Sequence, residues 1–512
     1  MAVIAVSSFV SLLFLASISV SLVASEHRHH HGAVFSVKSK FGGKERRLSA
    51  LKAHDTNRHL QPLATSIDIH IGGTGRPDSV GLYYAKIGIG TPSKDYYVQV
   101  DTGSDITWVN CIQCQECLKK GYHGLDLTLY NPNASFTGKT VKCDEEICKD
   151  INGGIVTGCK ANASCWYSES YGDKSSSTGY LVKDVVQYNS VSGDLETKLE
   201  NGSVTFGLST KFLCNLIVTN QVWSYTISLT RCGTIESGNL ESSDEALDGI
   251  IGFGKSNASF ISQLASSGKV KKMFAHCLDG DNGGGIFAVG HVVQPQVKSA
   301  HLIHDEPHYT VNVTGIEVGA EFLNLSTDSF GGVEKRRAVI DSGTTLAYLP
   351  EVIYKPLLNK IVARKSNMGL RILHDQYTCI TFSGSVDEEF PSVTFHFENS
   401  LSLKAYPHDY LFLLDGLMCL GWQNNDMGSP STRDTIVLGD LILSNKLVLY
   451  DLEKQTIGWT PYNCSTSIAL KDEITGLVHL VGSHVLSSAC ILIIHRAITF
   501  LLLVSLLIIH AK

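Results

Sequence analysis

The sequence predicts an all-β chain built from two similar halves. From Tyr83 onward, short runs of β-branched and aromatic residues alternate with turn residues, as in YYAKIGIG, TPSKD and YYVQV, which is typical of strands and hairpins. An acidic turn occurs twice, as DTGS at 101–104 and DSGT at 341–344, and each copy follows a strand-like run. A second pair of similar segments follows the turns, at 247–254 and 435–440. Duplication of one β unit is the simplest explanation of these repeats.

Composition supports a large folded core and excludes several classes of protein. Of the 512 residues, 43% are hydrophobic and 18% are charged, which excludes disorder as the main state. The length fits two large β lobes or about three smaller domains. The net charge is −7 and no basic block is longer than Lys44 to Arg47, so no nucleic-acid partner is expected. Fourteen cysteines favour an oxidising compartment.

The amino terminus is predicted to be a secretory signal peptide followed by a pro-segment. Residues 2–23 are apolar or small, and the pattern VAS at 23–25 predicts cleavage after residue 25. An uncleaved anchor is the alternative, because no basic region precedes the apolar run. Residues 26–66, rich in His, Lys and Arg, are interpreted as a removable pro-segment. The run His27 to His31 could bind a metal, but a solvated polar run is the preferred interpretation.

The carboxyl terminus is predicted to carry the signal for a glycosylphosphatidylinositol (GPI) anchor. Residues 497–509 form an apolar run of 13 residues. As a helix this run reaches only about 20 Å, which is short of a hydrocarbon core of about 30 Å. Small residues precede it, so Ser487 or Ser488 is the predicted attachment site and the tail 490–512 is removed. A true membrane span is the alternative.

Seven Asn-x-Ser/Thr sequons indicate a glycosylated surface, although the tripeptide is also common by chance. They begin at Asn133, Asn162, Asn201, Asn257, Asn312, Asn324 and Asn463. With the two terminal signals, they predict a protein on the extracellular face of the plasma membrane, held by a lipid anchor. The mature chain is then an N-terminal lobe at 67–300, a C-terminal lobe at 301–465 and a stalk at 466–489.

Two aspartates, one from each acidic turn, are the predicted catalytic groups. Asp101 and Asp341 occupy equivalent positions in the repeat. Two carboxyl groups brought to about 3 Å by two-fold symmetry cannot both ionise cheaply, so they share one proton over an acidic window. The ionised group then takes a proton from water while the protonated group donates to a carbonyl oxygen. This chemistry hydrolyses a peptide bond without a metal, a cofactor or a covalent intermediate.

The other residues of the two turns have predicted supporting roles. The first hydroxyl of each turn can lock the turns to each other, the glycines let the backbone approach the carboxyl groups, and the last hydroxyl can hold each carboxylate in line. These residues are Thr102, Gly103, Ser104, Ser342, Gly343 and Thr344. A single Asp-Thr-Gly is a weak signal, but two copies in matching strand contexts are specific.

Taken together, these features resemble the pepsin-like aspartic endopeptidases. Within that family the chain is most similar to the cysteine-rich, nepenthesin-type branch of plants, and in particular to its membrane-anchored members. The resemblance covers roughly Leu82 to Cys464. It implies a bilobal fold of two pseudo-symmetric β lobes with the active-site cleft between them, and catalytic roles for Asp101 and Asp341.

The resemblance also implies a flap over the cleft. In the family a Trp seven residues beyond the first Asp supports a flap tyrosine, and Trp108 stands there. Tyr171 and Gly172 occupy the place of the flap motif Tyr-Gly-x-Gly, although a surface strand aromatic is the alternative for the tyrosine. Lys174 stands where the second flap glycine is expected, so a stiffer or differently shaped flap is expected, because hairpin tips often need positive φ.

The cysteines are interpreted as a disulfide framework. A C-x-x-C spacing is also half of a zinc site, but disulfides are the default in an oxidising compartment, so no metal site is predicted. Seven cysteines between 111 and 165 predict a stapled, loop-rich insertion, which the nepenthesin-type branch has in this place. The candidates are Cys111, Cys114, Cys117, Cys143, Cys148, Cys159, Cys165, Cys232, Cys277, Cys379, Cys419 and Cys464.

Residues 208–231 interrupt a strand-like run and are interpreted as a translated intron or a gene-model error. Family members usually read Phe-Gly-Cys-Gly across this junction. A tolerated surface loop is the alternative. Cys214 lies in this insert and Cys490 in the removed tail, and excluding both leaves the twelve candidates.

The predicted function is acidic aspartic endopeptidase activity on extended polypeptides. No cofactor is expected, the substrate is the main partner, and a monomer is expected. A catalytically inactive binding or inhibitor protein on the same scaffold is the alternative, especially if the insert at 208–231 is real. A structural wall glycoprotein is disfavoured, because the chain has only 12 prolines and lacks low-complexity repeats.

Overall fold

The computed structural model describes most of the chain between Thr65 and Leu486. The described residues are 65–79, 81–112, 121, 126–154, 156–160, 162–172, 175–209, 247–325, 336–363, 370–373, 377–425, 433–473 and 475–486. The predicted signal peptide, almost all of the pro-segment and the removed tail lie outside them. So do Cys114, Cys117, Lys174, Cys214, Cys232, Ser487, Ser488 and Cys490.

The first half of the described chain consists mainly of strands. These are β1 (Ile67–Asp68), β2 (Ile71–Thr74), β3 (Leu82–Ile89), β4 (Lys94–Asp101), β5 (Trp108–Asn110), β6 (Lys139–Thr140), β7 (Trp166–Ser170), β8 (Ser176–Gly193), β9 (Glu196–Ser209), β10 (Gly249–Gly252), β11 (Met273–Leu278), β12 (Gly285–Val289), β13 (His291–Gln294) and β14 (Ser299–His301). Short helices lie between them at α1 (Glu146–Ile151) and α2 (Phe260–Ser266), with a 3₁₀ turn at Pro132–Ala134.

The second half is also rich in strands. These are β15 (Thr310–Val318), β16 (Glu321–Phe322), β17 (Arg337–Ile340), β18 (Ala347–Leu349), β19 (Leu370–Leu373), β20 (Tyr377–Ile380), β21 (Val393–Phe397), β22 (Ser402–Ala405), β23 (Leu411–Leu414), β24 (Leu417–Leu420), β25 (Trp422–Asn424), β26 (Ile436–Leu438), β27 (Lys446–Asp451), β28 (Thr456–Pro461), β29 (Ser467–Lys471) and β30 (Val478–Gly482). Helices are α3 (Glu351–Val362), α4 (Val386–Glu389), α5 (Pro407–Tyr410) and α6 (Asp440–Leu443), with a 3₁₀ turn at Glu398–Ser400. The all-β, two-lobed class predicted from the sequence is confirmed.

Each acidic turn belongs to a different sheet. The first lies in a fifteen-stranded sheet of order β14-β28-β27-β11-β12-β1-β8-β9-β5-β10-β4-β3-β2, with β6 and β7 paired to β8. The second lies in an eight-stranded sheet of order β22-β21-β15-β17-β26-β18-β25, with β16 paired to β15. Smaller sheets are β13-β29-β30 and β19-β20-β24-β23. The repeat extends to topology, because β4 pairs in parallel with β10 and β17 pairs in parallel with β26.

The strand that carries the first aspartate shows why the sequence folds in this way. Along β4 the side chains of Tyr96, Val98 and Val100 are buried, and the residues between them are partly exposed, which is the period of two of a half-buried strand. The turn from β3 to β4 passes through Gly90 at φ 92°, a conformation that glycine adopts without steric cost. The resulting hairpin delivers the acidic turn directly at the end of β4.

Several predicted boundaries differ from the structure. Leu208 and Ser209, the first residues of the predicted insert, are buried in β9 and pair with β5, so the regular strand extends past the predicted junction. Ser66, assigned to the pro-segment, accepts a hydrogen bond of 2.8 Å from the amide of Val191. Strands β27 and β28 from the predicted C-terminal lobe pair beside β11 in the fifteen-stranded sheet, because their apolar faces join that core.

The predicted stalk is partly a folded sheet. Strands β29 and β30 form a hairpin within 466–489, and β29 pairs with β13 of the first half. Ile468, Leu470 and Val481 are buried in a shared apolar cluster with strands β11 and β12. This burial explains why the segment packs on the body instead of extending as a stalk.

Four disulfides lie among the described residues. They join Cys143 to Cys159, Cys148 to Cys165, Cys277 to Cys464 and Cys379 to Cys419. The first two close the cysteine-rich insertion around α1, as the clustering of cysteines predicted. Cys111 is also buried.

Six of the seven sequon asparagines are exposed, and Asn312 is half-buried, where its amide donates to Glu398 Oε1 at 2.9 Å. Glycosylation stays a prediction. Of the helices in the described ranges, none is both long enough and apolar enough to cross a membrane.

Candidate active site

Both predicted catalytic aspartates lie where a strand ends in its acidic turn. Asp101 is the last residue of β4, and its carbonyl accepts a hydrogen bond of 2.7 Å from the amide of Phe253, just after the parallel strand β10. Asp341 follows β17, and its amide donates to the carbonyl of Leu438 in the parallel strand β26 at 3.1 Å. Each turn therefore begins from a strand that is held on its flank by a parallel neighbour.

The carboxylate of Asp101 is held by its own turn. The amide of Gly103 donates to Oδ1 at 2.7 Å, and the amide of Ser104 donates to the same oxygen at 3.1 Å. The hydroxyl of Ser104 donates to Oδ2 at 2.5 Å. Both oxygens are oriented, and Asp101 is only 5% exposed.

Asp341 repeats this arrangement in the second turn. The amide of Gly343 donates to its Oδ1 at 2.8 Å, and the hydroxyl of Thr344 donates to its Oδ2 at 2.6 Å. The supporting roles predicted for the glycine and the last hydroxyl of each turn therefore have matching geometry in both halves.

The two turns approach each other so closely that no side chain fits at either glycine. A Cβ atom added at Gly103 would lie 2.5 Å from Oδ1 of Asp341. A Cβ atom added at Gly343 would overlap the carboxylate of Asp101. Each glycine therefore leaves room for the carboxylate of the opposite turn, and the structure brings the two predicted aspartates together.

The first hydroxyl residues connect the turns. The amide of Ser342 donates to Oγ1 of Thr102 at 2.9 Å, and the Ser342 hydroxyl donates to the carbonyl of Val100 at 3.3 Å. Thr102 and Ser342 are both buried. A third crossing bond, from Nε2 of Gln99 to the carbonyl of Gly343 at 3.1 Å, was not predicted from the sequence.

Proximity and burial change the acidity of the pair. The pKa of Asp101 is raised from its ordinary value to about 7, mainly by its removal from water and secondly by the charge of Asp341. Hydrogen bonds from Ser104 and Gly103 oppose this shift but do not cancel it. One proton therefore stays on the pair across the acidic range, which is the condition for combined acid and base catalysis.

The predicted flap residues meet as expected from the sequence. Strands β7 and β8 form a hairpin, and Tyr171 lies just after β7, where its amide donates to the carbonyl of Ser175 at 2.9 Å. Nε1 of Trp108 donates to the Tyr171 hydroxyl at 2.6 Å. Burial, followed by the charge of Asp101, raises the pKa of this tyrosine. Apart from its chain neighbours, no described residue has an atom within 4 Å of the position that a Cβ atom at Gly172 would take.

Comparison with known proteins agrees with this geometry. The family models for the xylanase inhibitor N-terminal and C-terminal regions match residues 83–291 and 308–461. Aspartic proteinase 36 of Arabidopsis thaliana is 43% identical over 484 residues, which cover 93% of this chain and 93% of that protein. The chain belongs to the plant pepsin-like aspartic proteinase family.

A second relative supports this conclusion, and a solved structure shares the fold. Aspartic proteinase 39 of the same plant is 43% identical over 470 residues, covering 91% of this chain and 92% of that protein. The crystal structure of conglutin gamma, a basic 7S globulin from lupine seeds, is similar in fold with a TM-score of 0.54. That match has 19% identity and covers 78% of this chain and 95% of that one.

This aspartic proteinase scaffold also carries a third buried acid near the pair. Asp440 opens α6 and is 1% exposed. The pKa of Asp440 is raised well above the ordinary value, mainly by burial and secondly by the charges of Asp341 and Asp101. Its carboxyl group is therefore neutral at acidic pH. The sequence indicates its neighbourhood, because 435–440 belongs to the second pair of similar segments. It does not indicate that Asp440 is buried beside the second acidic turn, where its amide donates to the carbonyl of Thr344 at 2.7 Å.

Proposed function

We propose that this member of the family is an active aspartic endopeptidase that cleaves extended polypeptides at acidic pH. The supporting observation is the pair Asp101 and Asp341, each oriented by an amide and a hydroxyl of its own turn and each set against the glycine of the other. An ionised carboxylate accepts the proton of a water molecule, and that water attacks the scissile carbonyl carbon. The protonated carboxyl donates to the carbonyl oxygen, and the resulting tetrahedral intermediate collapses when the amine leaves with a proton.

The flap would supply the remaining parts of the site. Trp108 donates to the hydroxyl of Tyr171, which fixes the position of that hydroxyl. A tyrosine held in this way over the pair would exclude water from one side of the cleft. Fixing this ring before substrate arrives reduces the entropy lost on binding.

Single substitutions of the aspartates test the proposal. The secreted wild-type chain is incubated with an acid-denatured protein at a pH of about 4 to 5, and cleavage is followed by release of new amino termini. Asp101→Asn and Asp341→Asn keep the shape of each side chain and are expected to lower the rate by about 10²-fold to 10⁴-fold. Cleavage that is absent from the wild type, or unchanged in both variants, would contradict the proposal.

A non-catalytic binding protein is the second candidate. The specific observation in its favour is that both matching family models are described as xylanase inhibitor regions. The complete aspartate pair and the flap tyrosine favour the enzyme. Calorimetry with a purified xylanase separates the two, because an inhibitor forms a stable complex without cleavage of either protein.

We further propose the finer assignments that follow from the sequence: a nepenthesin-type member, anchored by GPI on the extracellular face of the plasma membrane. The stapled insertion around Cys143–Cys159 and Cys148–Cys165 supports the branch. Treatment of intact cells with a phosphatidylinositol-specific phospholipase C tests the anchor, since a GPI-linked chain is released and a chain with a membrane span is retained.

The segment that follows β9 is proposed to be a translated intron or a gene-model error. Sequencing the transcript between the codons of Gly207 and Cys232 decides the matter. A mature message that includes the segment would favour the surface-loop alternative. Activity assays of the full chain and of a chain lacking 210–231 would then show whether the segment affects cleavage.

A further inference from the structure

Three ligand-type side chains from opposite ends of the described chain meet on one face of the molecule, remote in sequence from the catalytic turns. Asp68 lies in β1, His70 follows it, and His484 lies just after β30. Nε2 of His484 is 2.8 Å from Oδ2 of Asp68, and Nε2 of His70 is 3.7 Å from the same oxygen. The three ligand atoms lie within 4.8 Å of one another. We call these residues the terminal triad.

The backbone around the terminal triad is fixed by pairing. Asp68 is in register with Asn189 of β8 and Ala288 of β12. The carbonyl of His484 accepts from the amide of Gly285 at 2.9 Å, and its amide donates back to Gly285 at 2.7 Å. The three side chains are therefore brought together by sheet pairing, and not by a loop that closes over them.

The aspartate has an unused acceptor. Asp68 is 4% exposed, and within the described part of the chain its Oδ1 is buried without a hydrogen-bond partner. A buried carboxylate oxygen without a partner is costly, and a carboxylate that binds a cation can satisfy it. The imidazoles converge on the other oxygen, Oδ2, so the two observations concern the two oxygens of one carboxylate.

The residue types of the terminal triad are ones that zinc binds. Neutral imidazole and carboxylate are ligands that Zn²⁺ accepts.

We propose that Asp68, His70 and His484 form a zinc site with an open fourth position. With Zn–ligand distances of about 2.0 to 2.1 Å, ligand atoms of a tetrahedral site lie about 3.3 Å apart. The distances of 2.8 and 3.7 Å from the Asp68 oxygen lie on either side of this value. The imidazole rings are stacked with centroids 3.7 Å apart at 21°, so coordination requires them to turn apart until each ring plane contains the metal. Each histidine is about one-third exposed, at 33% and 27% of its side chain, which leaves room for this rotation and for a water ligand.

Zinc in this site would join the start of the folded body to its end. The first two ligands follow the predicted pro-segment directly, and His484 lies three residues before the predicted lipid attachment site Ser487. Loss of metal would therefore remove one link between the two ends, which stay joined by backbone pairing, and would leave the aspartate pair untouched.

The test is zinc titration of the secreted chain by calorimetry after removal of metal with a chelator. The histidines in the run at 27–31 can bind zinc themselves, so every protein in the test carries alanine at those positions. One zinc ion per chain is expected, and Co²⁺ bound in its place should give the visible absorption of a four-coordinate site. His484→Ala and His70→Ala should each weaken binding at least about tenfold, since even outer-shell partners cost 10-fold to 100-fold.

His291→Ala is the matched control, because His291 is a similarly exposed histidine paired with a carboxylate, Glu473, at 2.7 Å. This variant should bind zinc as the parent does, and Asp68→Asn should lose binding while its folding is checked by circular dichroism. Absence of zinc binding in the parent, or binding of equal strength in His484→Ala, would overturn the proposal.

Discussion

The backbone amide of Ser342 donates a 2.9 Å hydrogen bond to Oγ1 of Thr102, joining two turns that lie 240 residues apart in the sequence. Both residues are buried, so neither group has water as an alternative partner. The two aspartates can share a proton only while their turns stay in contact, and this bond is one of the few direct links between the turns.

Thr102→Val should therefore impair activity and stability together. Valine keeps the shape of threonine but leaves the Ser342 amide buried without an acceptor, which costs about 1 to 3 kcal/mol of unfolding free energy. We also expect the cleavage rate to fall about tenfold or more, because small errors in the placement of catalytic groups are expensive. Chemical denaturation and peptide-cleavage kinetics measure the two effects. Thr102→Ser keeps the hydroxyl and serves as control, and a rate equal to wild type in Thr102→Val would contradict this account.

The flap contact leads to a second expectation. Trp108→Phe removes the indole N–H that donates to the Tyr171 hydroxyl at 2.6 Å and keeps most of the apolar packing. The flap tyrosine then loses its fixed position, so kcat/KM for an extended peptide should fall about tenfold, with KM contributing to the loss. Tyr171→Phe removes the same bond from the other side, so the double variant should be little worse than either single variant. Fully additive losses would show that the bond is not the shared cause.

Activity should decline as pH rises through neutrality. Burial and the charge of Asp341 raise the pKa of Asp101 to about 7, and above that pH the pair loses its shared proton. Without that proton no carboxyl group remains to donate to the carbonyl oxygen. The alkaline limb of kcat/KM against pH should therefore have a midpoint near 7. Asp440→Asn is the control and should leave this midpoint unchanged, because burial and the charge of Asp341 are the causes of the shift. An alkaline limb that is absent below pH 9 would contradict the prediction.

Stability should change with pH in the same direction. Asp101 ionises near its ordinary pKa of 3.8 in the unfolded chain but only near 7 in the folded chain. Between these values the folded chain holds more protons, so the unfolding free energy falls as pH rises through this window. Asp101→Asn removes the buried charge and should raise the melting temperature at pH 8 relative to wild type, with little difference at pH 3 to 4. Differential scanning calorimetry at the two pH values measures this, and a variant that is less stable than wild type at pH 8 would contradict it.

The catalytic pair could be predicted from the sequence because its signal is local and repeated. Each turn places the aspartate, the glycine and the hydroxyl within four residues, so the hydrogen bonds from Ser104 and Thr344 follow from the order of residues. The contact between Trp108 and Tyr171 depends on long-range folding, and the resemblance to the family supplied it.

Features that depend on pairing between distant strands could not be predicted. Strands β29 and β30 follow the last motif of the repeat, and nothing in their sequence indicates that β13 is their partner. The terminal triad has the same origin, since pairing of Gly285 with the C-terminal segment helps to bring His484 to Asp68. The pairing of the cysteines could not be predicted either, because twelve cysteines allow too many pairings for spacing alone to choose among them.

The bridge between Cys277 and Cys464 should contribute more stability than the bridge between Cys379 and Cys419. The first closes a loop of 187 residues and the second a loop of 40 residues. In the chain-entropy model these loops correspond to about 5 and about 4 kcal/mol, and measured values are usually between about 2 and 5 kcal/mol. Replacing both cysteines of a pair with serine, and comparing the two double variants by chemical denaturation, isolates the dependence on loop length.

The long bridge also ties β11 to the segment after β28, so its loss should expose the apolar cluster around Ile468 and increase aggregation on heating. A larger loss of stability from the Cys379–Cys419 pair would show that strain or packing, and not loop closure, determines the contribution of these bridges.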